Sequence, residues 1–222
     1  MKLLERTVVM SLIGKIVTWK RNLKRRKGLQ NKDFTILSSN CAGGVIYHDL
    51  GLQFKSPTIN LWFKPKDYLK FISNLNKYLS MDLVEETETA LGYPVGLLGD
   101  IHLYFFHYRT FEDAKNKWNS RKKRINKDNI YVIFTDRDGF DDEDFQNFLA
   151  LPYKHKILLA GDKKYSSKYT KIISKDLENG HLGDIFTVRN RFTGKRLLDE
   201  FDYVSFLNNR LKLPTPKRTM KP

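Results

Sequence analysis

The only cysteine of the chain, Cys41, follows a short apolar run and precedes a pair of glycines. The run covers residues 34–38, and the pair is Gly43 and Gly44. This order of residues predicts a strand that turns into a helix. Helix N-termini favour anions and thiolates, because their first amide groups have no partner within the helix. Cys41 is therefore the first candidate for a nucleophile, although a small buried apolar side chain is an equally simple reading of a lone cysteine.

Two further reactive side chains stand at the ends of predicted strands. His107 closes an apolar and aromatic run at residues 101–106, and Asp136 closes a β-branched run at residues 130–135. Nucleophilic acyl-type transfer needs a thiol, an imidazole as base and a carboxylate that orients the imidazole. The carboxyl ends of parallel strands share one edge of a sheet, where open α/β folds bind ligands. We therefore predict a catalytic group of Cys41, His107 and Asp136.

Groups that could hold an anionic substrate accompany this predicted centre. The amides of Gly43 and Gly44 could form an oxyanion or phosphate cradle, with Asn40 in the same turn. Arg121 and Arg124 lie one helical turn apart in a basic run, so both could address one phosphate or carboxylate. A solvated cationic helix end is the simpler account of that run.

The segment around Asp136 also allows an alternative metal site. Asp136 and Asp138 have the spacing with which some glycosyltransferases hold a divalent metal on a nucleotide diphosphate. Two carboxylates would suit magnesium or manganese if a substrate phosphate completed the site. The acidic residues 141–144 that follow favour another interpretation, the acidic start of a helix.

Strand-like and helix-like segments alternate along the chain. This alternation predicts an α/β fold with a largely parallel or mixed sheet and helices on both faces. Beyond residue 161 we expect a small irregular β-rich part, with a hairpin-like segment around residues 190–194. The predicted strands are residues 34–38, 58–61, 101–108, 130–135 and 156–160, and the predicted helices are residues 44–50, 66–79, 111–124 and 142–149.

The length of 222 residues is sufficient for one substantial hydrophobic core. A single cysteine cannot form an internal disulfide, which fits a reducing compartment such as the cytoplasm. We divide the chain into a basic amphipathic segment (1–31), an α/β core (32–161), a C-terminal extension packed on the core (162–212) and a basic tail (213–222).

The net charge of +15 favours anionic partners. Residues 15–32 contain eight basic side chains and no acidic one. We expect residues 10–27 to form an amphipathic helix at an anionic lipid surface, at the inner face of the membrane, and the alternative is a helix packed on its own domain. The apolar residues of this segment fall on one helical face: Leu12, Ile16, Trp19 and Leu23.

The sequence favours neither a membrane-spanning protein nor a nucleic-acid-binding protein. No apolar run is long enough to span a bilayer. Nucleic-acid binding would suit the basic charge, but no recognition helix or RNA-binding signature is present, and the acidic residues 85–88 would repel a phosphate track.

Several short motifs, among them Ser39-Asn40-Cys41-Ala42-Gly43-Gly44 and Asp136-Arg137-Asp138, resemble those of a bacterial domain family of unknown function. Its members are often labelled exopolysaccharide biosynthesis proteins and sometimes acetyltransferases. The resemblance covers residues 32–206 and provides no established catalytic residues. The motifs are Ser39-Asn40-Cys41-Ala42-Gly43-Gly44, Asp49-Leu50-Gly51-Leu52, Ser56-Pro57-Thr58, Tyr93-Pro94, His107-Tyr108, Lys117-Trp118 and Asp136-Arg137-Asp138.

The resemblance implies an α/β protein that works on or near capsule-type glycans, whose precursors are anions linked to lipids or nucleotide diphosphates. We therefore expect a transferase-type enzyme of bacterial surface polysaccharide biosynthesis that acts on an anionic sugar or nucleotide-sugar precursor. A second hypothesis is a metal-dependent glycosyltransferase that uses Asp136 and Asp138. A third is a non-catalytic scaffold at the membrane surface. The cofactor, the sugar and the oligomeric state do not follow from the sequence.

Overall fold

The computed structural model describes residues 2–173, 175 and 177–213, with side chains from residue 12 onward. Of the predicted basic tail, residues 214–222 lie outside the described residues. The first three elements are α1 (Lys2–Gly28), β1 (Thr35–Ser38) and α2 (Ala42–Leu50). Helix α2 ends at Gly51, which closes it in the left-handed conformation with a φ of 66°.

The next part of the chain contains two helices and a small antiparallel sheet. The single helix predicted at residues 66–79 is divided at Asn74, whose φ of −129° is not helical. The strands of this sheet pair in chain order, and Trp62 adds an isolated bridge to Tyr104. The elements are α3 (Pro65–Ser73), α4 (Leu75–Ser80), β2 (Val84–Glu85), β3 (Val95–Leu98) and β4 (Ile101–Tyr104).

Two helices with polar caps alternate with two buried strands in the following segment. The hydroxyl of Thr110 accepts a hydrogen bond from the amide of Asp113, and Asp141 forms a capping box with Asp144. The acidic residues 141–144 are thus the start of a helix, as one interpretation of the sequence predicted. The elements are α5 (Phe111–Lys122), β5 (Ile130–Thr135), α6 (Asp142–Ala150) and β6 (His155–Ala160).

The C-terminal part is built mainly from short strands, as predicted. The first of them joins the main sheet, and the next four form two antiparallel hairpins. Short 3-10 turns precede the first strand and the last helix, at Lys163–Tyr165 and Leu197–Glu200. The elements are β7 (Thr170–Ile172), β8 (Leu177–Glu178), β9 (His181–Leu182), β10 (Val188–Asn190), β11 (Lys195–Arg196) and α7 (Tyr203–Leu207).

The main sheet has the strand order β1-β5-β6-β7, and all its pairs are parallel. Successive residues of each strand face opposite sides, so Leu37 and Val132 belong to one hydrophobic cluster and Ile36 and Ile133 to the other. Side chains of α3, α5 and α6 complete the first cluster, and those of α2 and α7 complete the second. The predicted α/β class, with helices on both faces of the sheet, is confirmed.

Helix α1 is fastened to the body through polar side chains. The Asn22 side chain donates a hydrogen bond to the carboxylate of Asp49 at 3.0 Å, and Arg25 pairs with Asp199 at 2.9 Å. Among the residues that the structure describes, no helix combines the length and the apolar composition that crossing a bilayer requires.

Candidate functional site

The turn after β1 is held against the end of β5 by Asn40. Its side-chain amide donates a hydrogen bond to the hydroxyl of Thr135 at 3.0 Å, and its carbonyl oxygen accepts one from the amide of Ala42 at 3.1 Å. Asn40 is buried. Its two polar atoms are thus engaged within the protein, and its observed role is to position the residues that follow it.

The start of α2 packs tightly on β1. The hydroxyl of Ser38 accepts a hydrogen bond from the amide of Gly43 at 3.1 Å, and a Cβ on Gly43 would lie 2.8 Å from the same hydroxyl oxygen. The need for a glycine at this position therefore has a packing explanation. Of the two amides predicted to cradle an anion, that of Gly43 is occupied, which leaves that of Gly44 as the candidate donor.

Cys41 lies at the N-cap of α2, half-buried, and its side chain makes no capping hydrogen bond. Burial raises the pKa of the Cys41 thiol to about 11. The resting protein therefore holds this group as a thiol at neutral pH, because the desolvation of a thiolate outweighs the favourable field of the short helix. A nucleophilic role would require bound substrate to promote loss of the proton.

Arg121 in α5 is a buried cation beside this turn, with only 7 % of its surface exposed. The Nη1 atom donates hydrogen bonds to the carbonyl of Ile59 at 3.0 Å and to the hydroxyl of Tyr108 at 2.6 Å. The guanidinium carbon lies 5.2 Å from the centre of the Phe54 ring. Among the residues with described side chains, no aspartate or glutamate forms an ion pair with Arg121.

Helical spacing explains why α5 buries this arginine. Ala114, Trp118 and Arg121 are separated by four and three residues, so they share the face of α5 that packs inward, and all three are buried. The helix predicted to reach residue 124 ends at Lys122, so Arg124 lies two residues beyond α5. It donates hydrogen bonds back to the carbonyl and hydroxyl of Ser120, at 3.3 and 3.1 Å. The two predicted anion-binding arginines thus have different surroundings, and Arg121 is the one that faces the Cys41 turn.

Tyr108 accepts a hydrogen bond from Arg121 and lies within electrostatic range of Cys41. Burial raises the pKa of the Tyr108 hydroxyl, the neighbouring guanidinium of Arg121 opposes that rise, and a charged Cys41 thiolate would add to it. Asn60 approaches from another loop, with a φ of 62°, and its side-chain oxygen would lie 3.3 Å from a Cβ on Gly44. The sequence analysis did not predict Tyr108 or Asn60 as site residues, and the only signal was that Tyr108 stands in a shared motif.

His107 lies outside the parallel sheet, and the expectation that residues 101–108 form one of its strands was wrong. The strand ends at Tyr104 and pairs with β3 of the small antiparallel sheet and, through the bridge at Tyr104, with Trp62. The His107 ring is exposed and stacks edge-on against Phe106, with 4.9 Å between ring centres. In the described structure no hydrogen bond or ion pair joins it to Cys41 or Asp136, and its role as a base remains a prediction.

Asp136 does lie at the carboxyl edge of the sheet, where it is fully buried. One oxygen accepts hydrogen bonds from the amides of Gly161 and Asp162 at 2.9 and 3.2 Å, and the other from the amide of Leu182 at 2.9 Å. Burial raises the pKa of this carboxyl, and the three amides oppose the rise. The nearest imidazole is that of His181, whose Nδ1 lies 3.9 Å away. Asp136 thus ties the ends of β5, β6 and β9 together.

The surroundings of Asp136 and Asp138, the alternative metal ligands, do not form a cation-binding site. Asp138 occupies an exposed turn with a φ of 61°, while the oxygens of Asp136 are engaged by amides. Within the described ranges, no group of three or more histidine, cysteine, aspartate or glutamate side chains could hold a metal ion.

Comparison with known proteins gives a family and a relative. The family model for the domain of unknown function DUF1919 matches residues 12–208 of the chain. An uncharacterized protein of Haemophilus influenzae is 36 % identical over 189 residues, which cover 85 % of this chain and 90 % of that protein. Neither description includes an activity.

Proposed function

This chain belongs to the DUF1919 family of bacterial proteins, and we propose that it is a transferase-type enzyme of surface polysaccharide biosynthesis that holds an anionic sugar precursor against Arg121. The observation that supports the proposal is the burial of the Arg121 guanidinium without a carboxylate partner in the described structure. The resemblance of the motifs to proteins labelled for exopolysaccharide biosynthesis supplies the glycan context.

Burying the charge of Arg121 is energetically costly. Removing a guanidinium from water costs several kcal/mol, and buried charges are normally compensated by an opposite charge. The two hydrogen bonds of Arg121 go to neutral oxygens, those of Ile59 and Tyr108, which offset only part of this cost. A bound phosphate or carboxylate would supply the missing negative charge.

The donors that remain suit an anion of this kind. Both hydrogen bonds of Arg121 involve Nη1, so Nε and Nη2 can form the paired contacts that planar guanidinium makes with phosphate or carboxylate. The Tyr108 hydroxyl accepts a hydrogen bond from Arg121 and donates a long one, of 3.4 Å, to the carbonyl of Ile59. A bound anion could take over this proton as a closer acceptor. The Gly44 amide at the start of α2 adds a further candidate donor.

In this proposal Cys41 lies at the reaction centre. In a covalent transfer its sulfur would form a bond to the transferred carbon while the bond from that carbon to the leaving oxygen breaks. The thiol proton would end on that oxygen, which balances the step. Because the pKa of Cys41 is about 11 in the resting protein, proton loss has to accompany attack rather than precede it.

Ligand-dependent thermal unfolding tests the anion site. Uridine diphosphate sugars and sugar phosphates should raise the melting temperature of the wild-type protein by several degrees, since saturation at about one hundred times Kd contributes about 2.7 kcal/mol. Arg121→Gln should abolish this increase. Arg124→Gln is the matched control, because it removes an equal charge three residues away and should leave the increase unchanged.

The same experiment also tests for a structural role of Arg121. Without ligand, we expect the Arg121→Gln protein to melt close to the wild type, because losing two hydrogen bonds is offset by removing a costly buried charge. A ligand response that survives in Arg121→Gln, or disappears equally in Arg124→Gln, would contradict the proposal. If no anion is bound by the wild type at all, the non-catalytic scaffold becomes the better hypothesis.

A further inference from the structure

From residue 12 onward, helix α1 turns most of its large apolar side chains away from the protein. Trp19 is 60 % exposed, and this is unusual for the largest apolar side chain of a helix that packs on a domain. Residues that share its face are exposed as well, and they form what we call the apolar stripe: Leu12, Ile16, Trp19 and Leu23.

The opposite face of α1 is the one that contacts the body, and it is small and polar. Gly14 and Asn22 are buried there, and Arg21 donates hydrogen bonds to the carbonyls of Thr193 and Gly194 at 2.9 and 3.0 Å. A surface helix normally packs its apolar face inward and leaves its polar face to water. This reversal means that packing on its own domain does not account for the apolar stripe.

The β10–β11 hairpin extends the same surface. It lies so close to α1 that neither Gly14 nor Gly194 has room for a side chain. Val188 and Phe192 of the hairpin are exposed. A cleft of about 700 Å³ lies beside this contact, and residues of both elements line it. Its lining includes Trp19, Val188, Lys15, Arg26 and Arg191 but no aspartate or glutamate.

Basic side chains border the apolar stripe on both sides. With 100° between successive residues of an α-helix, Lys20, Lys24 and Lys27 project on one side of the stripe, and Lys15 on the other. Arg26 also belongs to that second side, but its Nε donates a hydrogen bond to the carbonyl of Asp49 at 2.9 Å. No acidic residue occurs between positions 12 and 32. Long basic side chains beside an apolar strip reach anionic headgroups while the strip enters the boundary between headgroups and acyl chains.

We propose that α1 and the β10–β11 hairpin dock on the surface of an anionic lipid bilayer. The apolar stripe would lie in the interface, and the flanking lysines would contact the headgroups. A bilayer accounts for both observations, since it offers a hydrophobic layer and negative charge along the whole helix. The net charge of +15 adds a long-range attraction to such a surface and repulsion between copies of the chain. The proposal does not depend on the anion site at Arg121.

Vesicle sedimentation tests the docking surface with the full chain. Phosphatidylcholine vesicles containing phosphatidylglycerol should pellet the wild-type protein and shift its tryptophan fluorescence to shorter wavelength, while vesicles of phosphatidylcholine alone should bind much less. Trp62 and Trp118 also fluoresce, so the part of the shift that Trp19→Glu removes is the part assigned to Trp19. Trp19→Glu should weaken binding at least about tenfold, since it places a charge in the interface. Phe106→Glu is the matched control, because Phe106 is 58 % exposed but lies in the turn after β4; it should bind like the wild type.

Two further measurements separate the outcomes. Each of Lys20→Gln and Lys24→Gln should weaken binding to anionic vesicles about fivefold, because a lysine near such a surface contributes about 1 kcal/mol.

The proposal is overturned if the wild type does not bind anionic vesicles, or if Trp19→Glu binds as well as Phe106→Glu. It is also overturned if analytical ultracentrifugation shows a dimer that Trp19→Glu dissociates and no variant binds lipid. Unchanged melting of Trp19→Glu would exclude misfolding as the cause of lost binding.

Discussion

At the scale of single residues, a side chain that could react with or bind a ligand differs from one that only stabilises the fold. The difference is whether its polar atoms already have hydrogen-bond partners within the protein. Asp136 has both oxygens bonded to amides, and Asn40 uses both ends of its side chain. Arg121 is different, because its charge is buried and its hydrogen bonds involve one nitrogen. The residue with unmet bonding capacity is the better indicator of a ligand.

The raised pKa of Cys41 leads to a prediction about its reactivity. Iodoacetamide reacts with the thiolate, so alkylation of the folded protein at neutral pH should be far slower than that of the same protein unfolded in urea, where the pKa returns to about 8.5. The rate in the folded protein should then rise with pH toward about 11, the pKa that burial imposes. Mass spectrometry of quenched samples measures both rates.

Fast alkylation at neutral pH would contradict this expectation and would indicate that the site lowers the pKa of the thiol. Cys41→Ser provides the control for reaction at other side chains, since Cys41 is the only cysteine. The sign of the linkage is also fixed. A thiol whose pKa is higher in the folded state favours folding below its unfolded pKa, and that contribution is lost as pH rises toward the folded value.

At the scale of elements, the sequence predicted local structure better than pairing. The runs at residues 130–135 and 156–160 form β5 and β6 because β-branched and aliphatic residues suit a sheet buried on both faces. The same kind of run at residues 101–108 forms a strand of another sheet, since periodicity carries no information about a strand's partner. For this reason His107 does not lie at the edge of the parallel sheet where Asp136 lies.

Long-range placement accounts for the other residues that the sequence did not reveal. His181 lies near Asp136 only because the β8–β9 hairpin folds back over the end of β5, 45 positions earlier in the chain. Tyr108 and Asn60 lie in loops near the Cys41 turn. Loops have no helical or strand periodicity from which such positions could be predicted. In contrast, the burial of Arg121 follows from its helical spacing from Trp118 in α5. Once Trp118 is assigned to the core, the burial of Arg121 can be predicted from the sequence.

The attachment of α1 should be sensitive to acid. Burial alone would raise the pKa of Asp199, but its hydrogen bonds to Arg196 and the charges of Arg196 and Arg25 lower it to about 2. A carboxyl with a lowered pKa stabilises the fold above its unfolded pKa of about 4, and that contribution is lost as pH falls from about 4 toward 2. We expect amide hydrogens of α1 to lose protection in this range before those of β5 and β6.

Hydrogen exchange read by mass spectrometry would measure this difference between elements. Asp199→Asn should lower the protection of α1 at neutral pH and remove most of its dependence on acid, because the variant lacks the titrating carboxyl. Asp202→Asn is a suitable control, since Asp202 caps α7 and is not in the α1 network. Loss of protection in α1 and the sheet at the same pH would show instead that the attachment unfolds only together with the core.

At the scale of the whole molecule, the two proposed surfaces make different demands on the structure. The Arg121 site uses α2, α5 and the loops between them, and the bilayer surface uses α1 and the β10–β11 hairpin. No residue that carries one argument also carries the other. A soluble anion should therefore bind equally well whether or not the protein is on a membrane, because its contacts do not include the bilayer surface.

Combining the two variants tests this independence. Arg121→Gln should abolish the thermal response to uridine diphosphate sugars and leave vesicle binding at the wild-type level, Trp19→Glu should do the reverse, and the double variant should show the sum of both losses. A departure from additivity of more than about 0.5 kcal/mol in either binding free energy would mean that the surfaces communicate. Additive behaviour with soluble ligands, together with non-additive loss when the offered sugar phosphate is anchored in the vesicle, would identify a lipid-linked precursor, because only such a substrate engages both surfaces in one complex.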